Sequence, residues 1–151
     1  GTVFFEGVNV SEGRGTDDPF AQAGASWLTD AGAIAAELNA RKIPGVTFDS
    51  ISRPVEAGFE FGGETIPMIH VKVTDRNVVE PVVVGAHMLR AIYAHHTDKW
   101  VWRKGSIDRL SGSTRLREAV EKDGGIEALL PILRAEAKAF EAESKKYWIY
   151  K

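Results

Sequence analysis

The sequence contains no cysteine. Disulfide staples, thiolate zinc sites and a cysteine nucleophile are therefore excluded, while the cellular compartment stays open, because a cysteine-free chain survives in oxidising and reducing surroundings alike. A dominant sign of charge is also missing: 19 Lys and Arg stand against 21 Asp and Glu, a formal net charge of −2. Such a balance gives no global attraction to nucleic acid or to an anionic membrane surface, and nucleic acid is not expected as a partner. No apolar run approaches the roughly 20 residues that cross a bilayer, so no membrane span is expected. No leader-like segment, repeat or low-complexity stretch is visible. What remains is a chain of 151 residues, long enough to bury about two thirds of its unfolded surface in a single domain. It opens at Gly1 rather than at a methionine, already inside an apolar run (Val3, Phe4, Phe5), and is expected to be part of a longer polypeptide.

Strands and helices alternate along the chain. Thr2 to Phe5 is β-branched and aromatic and predicts a short strand. Residues 6 to 26 follow neither a helical nor a strand period and predict a long loop, of the kind that is functional or disordered. Thr29 or Asp30 caps a helix whose apolar stripe is Ala31, Ile34, Ala35 and Leu38, ended by Pro44-Gly45. Gly45 to Ile51 and Met68 to Val73 predict strands, the second with Ile69, Val71 and Val73 on one face and Met68, His70 and Lys72 on the other. Asn77 with Glu80 has capping-box spacing, and the helix it opens runs to about His95 with Val82, Ala86, Leu89 and Tyr93 on one side. Ile107 to Leu110 predicts one short turn. Ser113 caps a helix over 114–122, and Ile126, Leu129, Leu130, Leu133, Ala137 and Phe140 define a last long helix, where Pro131 implies a kink or a later start. The closing KKYWIYK reads as an apolar and aromatic patch docked on the body or on a partner. The class is α/β, with α+β as the alternative: a small mixed sheet packed with about four helices in one domain spanning the whole chain.

Residues 6 to 16 carry the densest chemistry. Glu6, Asn9, Ser11, Glu12 and Arg14 supply carboxylates, an amide, a hydroxyl and a guanidinium among three glycines. Two carboxylates near one sugar ring are the parts of glycoside hydrolysis, and amide and guanidinium groups suit sugar hydroxyls and acids. The same residues also make a self-satisfied loop, with Arg14 paired to Glu6 or Glu12. A second candidate is GGETIPMIH, in which Glu64 follows a glycine pair and His70 projects from the strand behind it. The plainer account is a hairpin turn and a solvent-facing histidine. Asp75-Arg76-Asn77 is an anion clamp or, more simply, a strand-to-helix turn. His87 and His95 are eight apart and His95-His96 adjacent, neither being the i, i+4 spacing of a helical metal pair, so no metal or other cofactor is expected. Trp27 is assigned to the core; Trp100 and Trp102 stay open between core packing and stacking on a sugar face.

FEGVNVSEGRGTDDPF, GASW, HVKVTDR and the terminal YWIY together resemble the C-terminal domain of the exo-β-N-acetylmuramidase family, bacterial peptidoglycan-recycling hydrolases long catalogued as a domain of unknown function. The matching positions run in order from Glu6 through Thr16, Pro19-Phe20 and Trp27 to Val73–Arg76, Tyr147 and Tyr150. Val8, Asp18 and Ser26 depart from the family pattern, and Ile66-Pro67-Met68 stands where a Cys-Gly-Gly is usual. The resemblance implies a two-domain parent enzyme that releases terminal β-1,4-linked N-acetylmuramic acid in the bacterial periplasm or outside the cell. Its partner domain would be an N-terminal Rossmann-like domain that holds the main catalytic carboxylate. This chain would then contribute Glu6, Asn9, Ser11, Glu12, Arg14 and Thr16, with Glu64 and His70, to a site for a muramic-acid-containing sugar between the domains. Arg14 is the expected receptor for an anionic group such as the lactyl carboxylate. A non-catalytic sugar- or partner-binding module, and a structural lid for the N-terminal domain, are the alternatives.

Overall fold

A computed structural model describes residues 1–150. Three strands form one sheet in the order β1-β3-β2, with every pairing antiparallel: β1 (Gln22–Gly24), β2 (Val46–Pro54) and β3 (Thr65–Val73). β2 and β3 make a nine-residue hairpin from Val46↔Val73 to Pro54↔Thr65, and β1 adds to the other side of β3 through Gln22↔His70 to Gly24↔Met68. Helices α1 (Ala31–Ala40), α2 (Pro81–His95), α3 (Lys104–Ser111), α4 (Arg115–Val120) and α5 (Gly125–Ser144) complete a mixed α and β domain.

The main core lies between one face of the sheet and the helices. The α1 stripe Ala31, Ile34, Ala35 and Leu38 is buried as its spacing requires. It meets Val46, Phe48 and Ile69 from the sheet and Leu89 and Ile92 from α2 in one cluster. Asn39 fastens α1 to β2 through a reciprocal pair with the Phe48 backbone, at 2.8 and 2.9 Å. A smaller cluster of Val55, Ile66 and Met68 forms at the turn end of the hairpin. Met68 is therefore buried, although it was expected on the polar face, and Val73, expected inside, is half exposed at the strand end.

Several elements differ from expectation. Thr2–Gly7 is a 3-10 helix, not a strand: Thr2, Phe4, Phe5 and Gly7 are buried, a pattern that does not alternate, and packing overrides β-propensity. The long loop holds β1, and its backbone also bridges Val8 to Trp102 and Ser11 to Gly24. The Asn77 capping box does not form. Asp75 accepts the Asn77 N–H at 2.8 Å in a local turn, which is the plainer reading of that tripeptide, and α2 starts at Pro81. Its buried residues run from Val83 to Ile92, leaving Val82 exposed. The turn at Ile107 is a full helix, α3, and α4 is shorter than expected.

Helix α5 starts at Gly125 with Pro131 inside it, and only Gly125, Ile126, Leu129 and Leu130 are buried. Ala137 and Phe140 stand in solvent. So do Tyr147, Trp148, Ile149 and Tyr150: the terminal patch does not dock on the body over its described residues, and Lys151 lies outside them. Trp100 and Trp102 pack edge to face at 5.1 Å, and Tyr93 meets Trp100 edge to face at 5.7 Å. They belong to the core, with Trp102 at its margin.

Candidate functional site

Side-chain and backbone bonds shape the glycine-rich loop. The Gly13 N–H donates to Ser11 Oγ at 3.1 Å, and the Thr16 hydroxyl donates to the Gly13 carbonyl at 2.6 Å. Gly13 and Gly15 have φ of +91° and +82°, the left-handed region that glycine enters without strain. Gly15 has a second reason to lack a side chain, since a Cβ there would meet the Phe59 ring at 2.7 Å. The Gly15 carbonyl in turn accepts the Glu56 N–H at 2.8 Å, so the tip of the β2–β3 hairpin is tied over the loop.

Between loop and hairpin tip lies a cleft of about 350 Å³. Glu6, Ser11, Glu12 and Arg14 form one side, Gly58, Phe59 and Glu60 the other, and Arg103, just before α3, closes the end. Arg14 spans two acids, with Nη2 donating to Glu6 Oε1 at 2.7 Å and Nη1 lying 2.9 Å from Glu12 Oε1. Its guanidinium sits over the Phe20 ring, 4.9 Å from the centroid. The Glu6 hydrogen bond, then the charge of Glu12, raise the Arg14 pKa, so it stays a fixed cation. Across the cleft Arg103 Nη2 donates to Glu60 Oε1 at 2.7 Å. Three carboxylates and two guanidiniums thus face one space beside the half-exposed ring of Phe59. Polar groups fixed around an apolar ring face are suited to a sugar, whose hydroxyls need partners and whose ring faces are apolar.

The other four residues singled out in the sequence lie outside this cleft's lining. Asn9 clamps the segment before α3, donating to the Lys99 carbonyl at 2.9 Å and accepting the Val101 N–H at 2.8 Å. Thr16 Oγ1 accepts from Gln22 Nε2 at 2.6 Å and from the Asp18 N–H. Glu64 is exposed at the foot of the hairpin turn, where its backbone pairs with Val55. His70 is half-buried on β3 with Nε2 3.0 Å from Asp18 Oδ2. Phe59, Glu60 and Arg103 went unrecognised in the sequence. The glycine pair at 62–63 pointed to a hairpin turn, and the tryptophans at 100 and 102 drew notice to the connection beside Arg103. Neither signal says that the two meet.

Two further places concentrate functional groups. His95 lies between Asp30 (2.7 Å) and Glu37 (3.1 Å), and His96 Nε2 is 2.5 Å from the other Asp30 oxygen. These contacts tie the C-terminal end of α2 to α1. A groove of about 520 Å³ runs between α2 and α5, lined by Phe4, Val83, Leu116, Leu130 and Leu133, with the Glu80–Arg134 and Arg115–Glu136 ion pairs at its rim. Its lining is mostly apolar with the charged groups at the rim, whereas five charged side chains line the smaller cleft, which is the place where polar chemistry converges.

Residues 1–150 match the family model described as exo-beta-N-acetylmuramidase NamZ, C-terminal. The chain is 30% identical, over 151 residues, to the peptidoglycan beta-N-acetylmuramidase NamZ of Bacillus subtilis (strain 168), covering 99% of this chain and 36% of that protein. A crystal structure of a DUF1343-family protein from Bacteroides fragilis NCTC 9343 has the same fold, with a TM-score of 0.80 at 21% identity, covering 99% of this chain and 39% of the other. The chain therefore spans little more than a third of the length of either relative.

Proposed function

The chain belongs to the exo-β-N-acetylmuramidase NamZ C-terminal family, and from that premise we propose that it forms one wall of a saccharide site in a two-domain glycosidase. That enzyme releases terminal β-1,4-linked N-acetylmuramic acid from peptidoglycan fragments, in the periplasm or outside the cell. Its second domain, Rossmann-like and N-terminal to this one, supplies the reacting carboxylate. The observation that carries the reading is the bridging of Glu6 and Glu12 by Arg14 on an open cleft. Glycoside hydrolysis needs a carboxylic acid that delivers a proton to the leaving oxygen and a second carboxylate on the opposite face of the ring. Here both loop carboxylates accept from Arg14, and Glu60 accepts from Arg103. All three cleft acids are occupied in orienting guanidiniums. What the cleft offers a sugar is a rigid set of donors and acceptors and the Phe59 ring, which is binding and orientation, a large share of the barrier lowering in any such enzyme.

The test is release of chromophore from a chromogenic β-N-acetylmuramide. The chain alone is expected to give no turnover, and the chain joined to an N-terminal domain to give turnover. In the joined protein Arg14→Ala, which unbinds Glu6 and Glu12 together, is expected to lower kcat/KM by roughly 100-fold, the loss of charge-assisted bonds worth about 3 kcal/mol. Turnover by the chain alone that disappears with Glu6→Gln would move the catalytic acids into this domain. Loss of sugar binding with hydrolysis intact would make the domain a binding module.

A further inference from the structure

The two guanidiniums of the cleft are not equivalent, and the difference assigns them separate work. Arg14 has both terminal nitrogens committed, one to Glu6 and one to Glu12, with a ring against its face. Two carboxylates on one guanidinium leave that triad with a negative charge in excess, which repels an incoming acid. Arg103 has only one commitment, Nη2 to Glu60, and among the described residues its Nε and Nη1 have no hydrogen-bond partner. The side chain is 46% exposed, and each edge that a carboxylate takes as a fork, Nε with Nη2 or Nη1 with Nη2, includes the one nitrogen that Glu60 holds. Its backbone is fixed all the same. The Arg103 N–H donates to the Gly7 carbonyl at 2.8 Å, directly beside Glu6, and the Arg103 carbonyl accepts from the first turn of α3 through Ser106 and Ile107. The pair with Glu60 is electrically neutral, so it opposes an anion less than the Arg14 triad does.

We infer that Arg103, rather than Arg14, is the receptor for the carboxylate of an acidic amino sugar, an N-acetylhexosamine carrying a carboxyl on an ether substituent. Glu60 is its resident counter-ion, holding the guanidinium at the end of the cleft until the sugar acid takes its place. The inference rests on the saccharide-site reading above and adds which residue selects the acidic sugar over its neutral counterpart. Arg14 keeps a positioning role, holding Glu6 and Glu12 where they can accept from sugar hydroxyls.

The experiment compares hydrolysis of a chromogenic β-N-acetylmuramide with that of the matching β-N-acetylglucosaminide, which lacks only the acidic substituent, by the domain joined to its N-terminal partner. The intact protein is expected to favour the muramide. Arg103→Gln is expected to lower that preference roughly 10- to 100-fold, mainly through the muramide KM, the range for losing a charge-assisted pair. Arg103→Lys, which keeps the charge but not the fork, is expected to recover part of it. Glu60→Gln, which removes the competing carboxylate, is expected to lower the muramide KM. An unchanged preference in Arg103→Gln overturns the inference alone, as does a preference that disappears in Arg14→Lys instead. A melting curve for Arg103→Gln separates lost recognition from lost folding, and an unfolded variant passes the decision to Glu60→Gln, where an unchanged KM overturns the inference. An intact protein that hydrolyses neither sugar overturns the saccharide-site reading and this inference with it, whereas one that hydrolyses both equally overturns this inference alone.

Discussion

The loop after the first 3-10 turn and the helix α5 are opposites in regularity and in burial. The loop has almost no repeating structure, yet Val8, Val10, Ala23 and Ala25 are completely buried, and even Ser11 and Glu12 are almost so. Helix α5 has 20 residues of unbroken regular structure, yet beyond Leu133 it leaves the core, and Phe140 is 70% exposed. The reason is the accounting of backbone polar groups. A helix satisfies its own N–H and C=O groups, so it can project from the body. An irregular segment must find partners elsewhere, and those partners hold it down. Here the loop backbone bonds to Gly24 in β1, to Val101 and Arg103 in the segment before α3, and to Glu56 just after β2. A polar, glycine-rich stretch is thereby made rigid enough to carry a binding site.

If that contrast is right, the loop is intolerant where it touches other backbone. The largest effect is expected at Gly24, in β1. A methyl there would lie 2.9 Å from Met68 Cα and closer still to the Pro67 carbonyl oxygen and Met68 Cγ. Gly24→Ala therefore forces β1 away from β3, at about 3 kcal/mol, the upper end of overpacking costs. Denaturant unfolding measures it, and a loss below 1 kcal/mol would show that β1 can be displaced freely. A smaller effect is expected at Asn9, whose side chain makes two bonds to the Lys99–Val101 segment. Asn9→Ala removes both from a half-buried place, and about 1–2 kcal/mol of stability should go with them. Because Asn9 does not line the cleft, its effect on hydrolysis should follow the fraction folded rather than KM.

The same contrast explains what was legible in the sequence. The α1 stripe and β2 were readable because their burial follows their own period, and a local pattern reports a local cause, while in β3 the neighbours Met68 and Ile69 are both buried because each face has a cluster over it. The apolar spacing of Ala137 and Phe140 looked equally regular and described a helix correctly, but periodicity says which face is apolar and not whether anything covers it. Thr2 to Phe5 misled in the other direction, since aromatic and β-branched residues suit a strand only where a strand partner is available. One wall of the cleft was visible because Glu6, Ser11, Glu12 and Arg14 lie close together in the chain. The other wall was not, because Phe59, Glu60 and Arg103 reach it through contacts between segments more than 40 residues apart, and no local pattern encodes those.

The smallest effect is expected at the far end of the comparison. Phe140 lies on the outer turns of α5, its backbone bonds are satisfied within the helix, and its ring is mostly in water. Phe140→Ala removes no core contact and replaces an aromatic residue with the better helix former. Its stability should stay within about 0.5 kcal/mol of the parent, on either side. Tyr147, Trp148, Ile149 and Tyr150, which follow α5, share this exposure. The measurement is a thermal melt at two protein concentrations. A loss above 1 kcal/mol that grows as the protein is concentrated would mean that Phe140 is covered in solution by another copy, and that the outer half of α5 is an interface. A loss of that size independent of concentration would mean that this helix is held by the body as firmly as the loop, and the contrast between regular and packed would have to be abandoned.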